Sequence, residues 1–280
     1  MTMNSSWDHK AMQKIIHSFL ASFFVFLVFS GISQADTVSV DEVLSHCYLK
    51  NMGEDQKFRI DYTVTNKNDK VAKRREFVYF WKNYHGEGDL LSKLMLFTVF
   101  PGYPENPSYL RWNYTKESGK PAEQWLYSPK FHSVTRVSGQ KPEDMTWRSI
   151  AEDMMFGEIY GFKHTLLNEE QEMDFISYDV ESVPKSPTAF YGKIVSHYRQ
   201  PQEPDSCVLK TLEYYDKDGH LVKSADYTWE TRGDVWVWKT IDVQNEKPEL
   251  LFSYKNKNIE VNIGLEDSDF TKRIMQKSVR

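Results

Sequence analysis

Short runs in which apolar and polar residues alternate constrain the fold of this chain more than any other feature. Residues 58–65 alternate strictly, which places four large apolar side chains on one face of an extended strand. Runs with β-strand character cover residues 58–65, 71–82, 94–100, 109–114, 124–127, 133–137, 191–199, 208–215, 221–230, 235–243 and 249–263. They predict about ten or eleven strands with mostly short connections, which favours one antiparallel sheet over a parallel α/β fold.

Two segments have helical rather than strand character. Ser39 and Glu42 have the spacing of a capping box, in which each side chain accepts a backbone N–H bond at the start of a helix. Val43 and Leu44 follow at helical spacing, and this first helix is predicted to end near residue 51. A second, short helical segment is predicted between residues 144 and 161. Its apolar stripe contains Trp147, Ile150, Ala151, Met154 and Met155.

The N-terminal segment is predicted to lie outside the fold. Lys10 and Lys14 precede an apolar run at residues 15–32, and Ser33 and Ala35 supply small residues before a cleavage point. Residues 1–35 therefore resemble a signal peptide. This predicts a folded domain at residues 36–280 and export of the protein to the periplasm. The alternative is an uncleaved membrane anchor, because the apolar run has 18 residues, close to the lower limit for spanning a bilayer.

Motifs that would carry catalysis or metal binding are absent from the sequence. The eight histidines are scattered singly, and neither a Gly-x-Ser-x-Gly motif nor a phosphate-binding glycine loop occurs. Residues 216–219, Asp-Lys-Asp-Gly, favour a tight hairpin turn over a calcium loop, because Tyr227 stands where the loop needs a glutamate. The formal net charge of −5 argues against nucleic acid as a partner. No catalytic residue, metal site or cofactor is expected.

The two cysteines, Cys47 and Cys207, leave two alternatives open. In an oxidising compartment they could form a disulfide between the first helix and a late strand. Otherwise they are two buried thiols that pack as small apolar side chains. Sequence separation does not decide between them, because a disulfide depends on the distance between the two Cα atoms.

Several predicted strands are apolar on both faces. In the run at 94–100, Leu94 and Leu96 lie on one face, while Met95 and Phe97 lie on the other. This is more apolar surface than one face of a sheet needs. A large sheet covered by only two short helices could enclose a lipid-sized cavity, or the surplus could form a solidly packed core.

Short segments, taken in order, carry a family resemblance. Residues 124–129 read Gln-Trp-Leu-Tyr-Ser-Pro, and Val-Thr-Arg-Val follows at 134–137. The segments at 214–223, 233–237 and 264–271 agree as well, the last with the sequence Gly-Leu-Glu-Asp-Ser-Asp-Phe-Thr. Together they resemble the outer-membrane lipoprotein-sorting protein family, the LolA/LolB-like carriers of lipids and lipoproteins, from about Val40 to Thr271.

The resemblance implies a mainly β fold in which one antiparallel sheet, curled into a half-open β-barrel and covered by short helices, holds acyl chains without covalent chemistry. It implies a periplasmic, non-enzymatic carrier of lipid or lipoprotein acyl chains, with an inner-membrane transporter or outer-membrane acceptor as partner. One segment departs from the family: residues 145–157 replace a stretch that is usually rich in glycine and serine. This departure concerns the identity of the cargo more than the fold.

Ten residues are the candidates for the lipid cavity or its lid. They are Val43, Leu44, Leu96, Trp112, Trp125, Trp147, Ile150, Met154, Met155 and Phe156. One alternative function is an interaction protein, a partner of an envelope transporter or a stress sensor, built on the same fold. Another is an enzyme, for which Tyr160, His164 and Glu169 would have to converge.

Overall fold

A computed structural model describes residues 38–47, 52–66, 68, 70–104, 106–115, 117–137, 142–154, 161–187, 189–201 and 207–277. The predicted signal peptide at 1–35 and its alternative, a membrane anchor, lie outside these residues. Among the residues described, no helix is long and apolar enough to cross a membrane.

The described chain contains two α-helices and thirteen strands. The helices are α1 (Val40–Cys47) and α2 (Pro142–Met154). The first six strands are β1 (Asp55–Asn66), β2 (Val71–Asn83), β3 (Leu90–Phe100), β4 (Ser108–Tyr114), β5 (Glu123–Ser128) and β6 (Ser133–Arg136). The others are β7 (Phe162–Gln171), β8 (Phe175–Pro184), β9 (Lys193–Pro201), β10 (Val208–Tyr215), β11 (Leu221–Arg232), β12 (Val235–Asn245) and β13 (Leu250–Val261).

All thirteen strands form one antiparallel sheet in the order β6-β5-β4-β3-β2-β1-β13-β12-β11-β10-β9-β8-β7. Consecutive strands pair within the run β1 to β6 and within the run β7 to β13, and the pairing of β1 with β13 joins the two runs. The sheet is curled and remains open between β6 and β7. This confirms the predicted mainly β fold, with one antiparallel sheet and short helices.

The turns behave as their sequences predict. In the β10–β11 hairpin, one Asp216 carboxylate oxygen accepts hydrogen bonds from the backbone N–H groups of Asp218 and His220. Gly219 has a φ angle of 84°, which a residue without a Cβ adopts without strain. The capping box of α1 is also confirmed, because Glu42 accepts from the Ser39 N–H at 2.8 Å and donates its own N–H to Ser39 Oγ at 3.2 Å.

The predicted strand count of ten or eleven is wrong by two or three. Strands β7 and β8, at one edge of the sheet, lie outside the predicted runs. Most of β7 is exposed, and its second half contains Glu169, Glu170 and Gln171. An edge strand that packs little against the core need not alternate, so its sequence lacks the period-two signal.

A different element packs on each face of the sheet. Pairing of β1 with β2 places Phe58 beside Tyr79 and Ile60 beside Phe77 on one face, the α2 face, on which α2 packs. On the opposite face, a C-terminal segment with 3-10 turns at Asp267–Phe270 and Ile274–Gln276 covers strands β2 to β5. Its side chains Phe270 and Met275 are buried in a cluster with Val78, Met95, Phe97, Leu110 and Trp125.

One buried carboxylate fixes the path of the C-terminal segment. Asp55, at the start of β1, is 3% exposed. Its two oxygens accept hydrogen bonds from the backbone N–H groups of Ile263, Gly264 and Leu265 at 2.8, 2.9 and 3.0 Å. The carboxylate therefore satisfies three donors where the chain leaves β13 and turns towards the opposite face.

A disulfide joins Cys47, at the end of α1, to Cys207, just before β10. The two Cα atoms lie 4.7 Å apart, within the range that a disulfide needs. The structure thus resolves the two alternatives for the cysteines in favour of the bonded pair. The bond therefore joins α1, which contacts β7, to the residue that precedes β10.

Candidate functional site

The candidate site is the α2 face together with the helix that covers it. The buried side of α2 consists of Trp147, Ile150, Ala151 and Met154, all no more than 6% exposed. Trp147 stacks on Tyr109 of β4, with ring centroids 6.2 Å apart, and meets Phe77 of β2 edge-on at 5.7 Å. The helix therefore occupies the face through apolar contacts at helical spacing.

The α2 face is broad and mostly apolar. Leu96 of β3 lies at its centre, paired with Tyr79 on one side and Tyr109 on the other. The face continues across β1 into the second half of the sheet, where Tyr62 pairs with Tyr254. Its fully buried apolar side chains include Phe58, Ile60, Phe77, Tyr79, Leu94, Leu96, Tyr109, Tyr227, Ile241 and Tyr254.

A polar cluster lies beneath the C-terminal end of α2. Asp153 of α2 and Lys223 of β11 form an ion pair, and both residues are at most 5% exposed. The Tyr254 hydroxyl donates to the second Asp153 carboxylate oxygen at 2.8 Å. The Tyr227 hydroxyl donates to the Asp153 backbone carbonyl at 3.0 Å. Three strand residues thus hold one residue of the helix.

Burial and charge act together on this cluster. Burial raises the pKa of the Asp153 carboxyl above its ordinary value, while Lys223 acts against that shift. For Lys223, burial alone lowers the pKa, but attraction to Asp153 outweighs it and the pKa lies above its ordinary value. The Lys223 ammonium also lies 4.6 Å from the centroid of the Tyr214 ring, a favourable cation–π position. The ammonium form is therefore stabilised where it lies.

The structure brings some of the predicted site residues together on the α2 face. Leu96, Trp147, Ile150 and Met154 all lie at the contact between α2 and the sheet. Val43 and Leu44 are buried in α1, which contacts β7. Met155 and Phe156 lie outside the described residues.

The grouping of Trp112 and Trp125 with these residues requires correction. Both lie on the opposite face, with ring centroids 5.0 Å apart. Trp112 donates its indole N–H to the Phe270 carbonyl at 3.2 Å, so the C-terminal segment covers it. Alternation places Trp112 and Trp125 on the face that carries Met95 and Leu110, which is equally apolar, and the sequence offers no way to tell the two faces apart.

His164 and Glu169, the two described residues of the enzyme alternative, do not converge. His164 and Glu169 both lie on β7, five residues apart, which corresponds to about 16 Å along an extended strand. His164 contacts the Ser182 hydroxyl at 2.8 Å, whereas Glu169 is exposed. Tyr160 lies outside the described residues. The only group of described residues with metal-ligating side chains close together is Asp216, Asp218 and His220, within the hairpin turn.

Sequence reasoning missed the Asp153–Lys223 pair. Adjacent Glu152 and Asp153 resemble a solvated acidic pair, and indeed Glu152 points to Arg148 in an ion pair of 2.6 Å. A signal was nevertheless present in β11. Lys223, Ala225 and Tyr227 occupy alternate positions of the strand, so that the lysine shares the buried face with two core residues.

Comparison with solved structures identifies the fold class. A DUF1329 family protein from Desulfovibrio piger is 20% identical, with a TM-score of 0.66 over 84% of this chain and 94% of that one. An outer membrane lipoprotein-sorting protein domain from Vibrio parahaemolyticus is 18% identical, with a TM-score of 0.65 over 85% of this chain and 96% of that one. A LolA superfamily protein from Nitrosomonas europaea is 13% identical, with a TM-score of 0.57 over 85% of this chain and 100% of that one. The protein therefore has the fold of LolA-like lipoprotein-sorting domains.

The family follows from a second comparison. Residues 92–277 match the model of a family described as "Uncharacterized protein", and the chain belongs to that family. A comparison with curated protein sequences finds no match.

Proposed function

We propose that this protein is a periplasmic, non-enzymatic carrier that binds lipid or lipoprotein acyl chains between helix α2 and the α2 face of the sheet. The observation that carries the proposal is the apolar contact between α2 and the sheet. A broad apolar face is covered by a single helix through Trp147, Ile150 and Met154. An acyl chain has the same chemistry as these side chains and can take their place on the face.

Binding of useful strength requires only apolar burial. About 400 Å² of acyl chain buried at about 25 cal/mol per Å² supplies roughly 10 kcal/mol before the cost of ordering the chain is subtracted. No bond is made or broken, so the cargo can be released intact. This is what a carrier requires of its cargo site.

The polar cluster suits a helix that has to move. A buried ion pair contributes little net stability, because the desolvation cost of the two charges offsets most of their attraction. When α2 lifts, water can solvate Asp153 and Lys223 again. The pair thus specifies where α2 docks while adding little to the free energy needed to displace it.

The periplasm is the proposed location, because the carrier function and the predicted signal peptide agree on it. Lipoprotein sorting or lipid transport is the proposed role, supported by the fold shared with the lipoprotein-sorting domain from Vibrio parahaemolyticus. An inner-membrane transporter or an outer-membrane acceptor is the proposed kind of partner.

The experiment is a titration of delipidated protein with a dansyl-labelled fatty acid. Ala151 is fully buried at the contact between α2 and the sheet, so Ala151→Trp fills the space that the acyl chain would use. Thr146→Trp places the same indole on the exposed side of the same helix and is the matched control. We expect saturable binding to the original protein and to Thr146→Trp, and at least tenfold weaker binding to Ala151→Trp. Lack of saturable binding to the original protein contradicts the proposal.

A further inference from the structure

Exposed apolar side chains are concentrated at one end of the sheet. Among the described residues, ten large apolar side chains are exposed, and seven of these lie at the same end. Four belong to three neighbouring connections: Val71 follows the β1–β2 turn, Phe100 and Tyr103 lie at the β3–β4 connection, and Phe131 lies at the β5–β6 turn. These four are between 52% and 70% exposed.

The topology explains why these connections lie side by side. In an antiparallel meander, alternate connections fall at the same end of the sheet. The order β6-β5-β4-β3-β2-β1 therefore places the β5–β6, β3–β4 and β1–β2 connections in a row. We define the described residues of these three segments, 66, 68, 70–75, 100–104, 106–108 and 129–133, as the hairpin rim.

The hairpin rim is basic in a protein that is acidic overall. Its described residues include five basic and no acidic residues, while the whole chain has a formal net charge of −5. Lys70, Lys73, Arg74 and Lys130 are exposed beside the apolar side chains. The connections at the opposite end of the same strands, residues 83–90, 115 and 117–123, have four acidic residues and one basic residue. In this half of the sheet, strands β1 to β6, the two ends therefore differ in the sign of their charge.

We propose that the hairpin rim docks onto a membrane surface that contains anionic lipids. Exposed aromatic rings beside lysines and arginines match the two layers of such a surface, because rings enter the region between headgroups and acyl chains while cations remain at the phosphates. Each basic residue near an anionic surface contributes about 1 kcal/mol, and this contribution is screened by salt. The acidic opposite end is repelled, so the charge separation also orients the molecule.

This inference goes beyond acyl-chain binding, because the rim side chains are not those of the α2 face. Phe100, Tyr103 and Phe131 are exposed to solvent, whereas Trp147 and Leu96 are buried at the contact between α2 and the sheet. A carrier must meet a membrane or a membrane-bound partner to load or unload an acyl chain. The hairpin rim assigns the contact to a bilayer surface and to one end of the sheet.

The test is co-flotation of the purified protein with two kinds of vesicle. One is pure phosphatidylcholine, and in the other phosphatidylglycerol replaces one quarter of the phosphatidylcholine. The apolar variant is Phe100→Ser, Tyr103→Ser and Phe131→Ser combined, and the charge variant is Lys70→Glu with Lys130→Glu. Met173→Ser is the matched control, because Met173 is 88% exposed at the opposite end of the sheet. All of these side chains are exposed, so the folding of each variant is checked by its thermal unfolding.

We expect salt-sensitive association with the anionic vesicles, weakened at least tenfold in both rim variants and unchanged in Met173→Ser. Dansyl fatty-acid binding is measured on the same samples and stays unchanged, so a failure of docking is distinguished from a failure of acyl-chain binding. The proposal is overturned by no association with either vesicle, by equal association with both, or by an equal loss in Met173→Ser. The first of these outcomes indicates a protein as the docking partner.

Discussion

Asp153 of α2 and Lys223 of β11 form an ion pair in which both side chains are buried, and the Tyr254 hydroxyl donates to the Asp153 carboxylate. The pair lies 70 residues apart in sequence and joins the covering helix to the sheet. Removing either charge leaves the other buried without its partner. Removing both leaves an apolar contact of similar volume.

This arrangement predicts a strongly non-additive double-mutant cycle. Asp153→Leu and Lys223→Met are each expected to destabilise the fold by about 3–5 kcal/mol, because an uncompensated buried charge remains. The double variant is expected to lie within about 2 kcal/mol of the original protein. Urea denaturation measures all four free energies of unfolding. Glu152→Gln, which disrupts the more exposed pair with Arg148, is the control and is expected to cost less than about 1 kcal/mol.

Buried tyrosines predict a loss of stability at alkaline pH. Burial raises the pKa values of Tyr109 and Tyr198 to about 12, from an ordinary value of 10.0. A raised folded-state pKa means that the stabilising contribution is complete below pH 10 and is lost as the pH rises from 10 towards 12 and beyond. Each group then removes about 1.4 kcal/mol per pH unit in that window.

Urea denaturation at about pH 9 and about pH 11 measures this loss directly. Tyr198→Phe is expected to lose less stability over the interval than the original protein does. Tyr103→Phe is the control, since Tyr103 is 69% exposed, and it should show the original dependence. Equal pH dependence in all three proteins would show that Tyr198 does not contribute to the loss of stability at alkaline pH.

The disulfide between Cys47 and Cys207 predicts sensitivity to reduction. The bond closes a loop of 160 residues, which corresponds to roughly 5 kcal/mol in the chain-entropy model. The double variant Cys47→Ser, Cys207→Ser and the reduced original protein are expected to unfold at the same, lower urea concentration. Addition of a reductant should leave the double variant unchanged. Equal stability of the oxidised and reduced original protein contradicts the prediction.

Asp55 is expected to be essential for holding the C-terminal segment. Asp55→Ala removes the acceptor of three backbone N–H groups and leaves these donors without a partner, which should cost about 3 kcal/mol or more. Hydrogen exchange should show faster exchange at Ile263, Gly264 and Leu265. Asp61→Asn removes only the more exposed ion pairs with Lys257 and Arg74 and is the control. Unchanged exchange at these three amides in Asp55→Ala rules out this role.

The extent to which sequence predicts this fold depends on how local each signal is. The α1 capping box and the β10–β11 turn were predicted because each depends on a few adjacent residues, Ser39 to Glu42 and Asp216 to Gly219. Strand β7 lies outside the predicted runs because its second half, at the sheet edge, is exposed and polar and does not alternate.

The candidate site was harder to predict, because it depends on which elements meet in space. Trp125 and Leu96 both belong to apolar stripes, and only the positions of α2 and the C-terminal segment show that they lie on different faces. The same holds for Asp153, whose partner lies on a strand distant in sequence. The cysteine pairing likewise depended on a Cα distance that no spacing in the sequence reveals.

Quenching of tryptophan fluorescence by a brominated fatty acid tests the central claim most directly, because bromine quenches a ring that it contacts. Trp147 is on the buried side of α2 and packs on the sheet, whereas Trp125 lies on the opposite face under the C-terminal segment. We predict saturable quenching of the delipidated protein that is retained in Trp125→Phe and largely lost in Trp147→Phe, with bound fatty acid measured in parallel. Absence of saturable quenching, or its loss in Trp125→Phe and retention in Trp147→Phe, would contradict an acyl-chain site between α2 and the sheet.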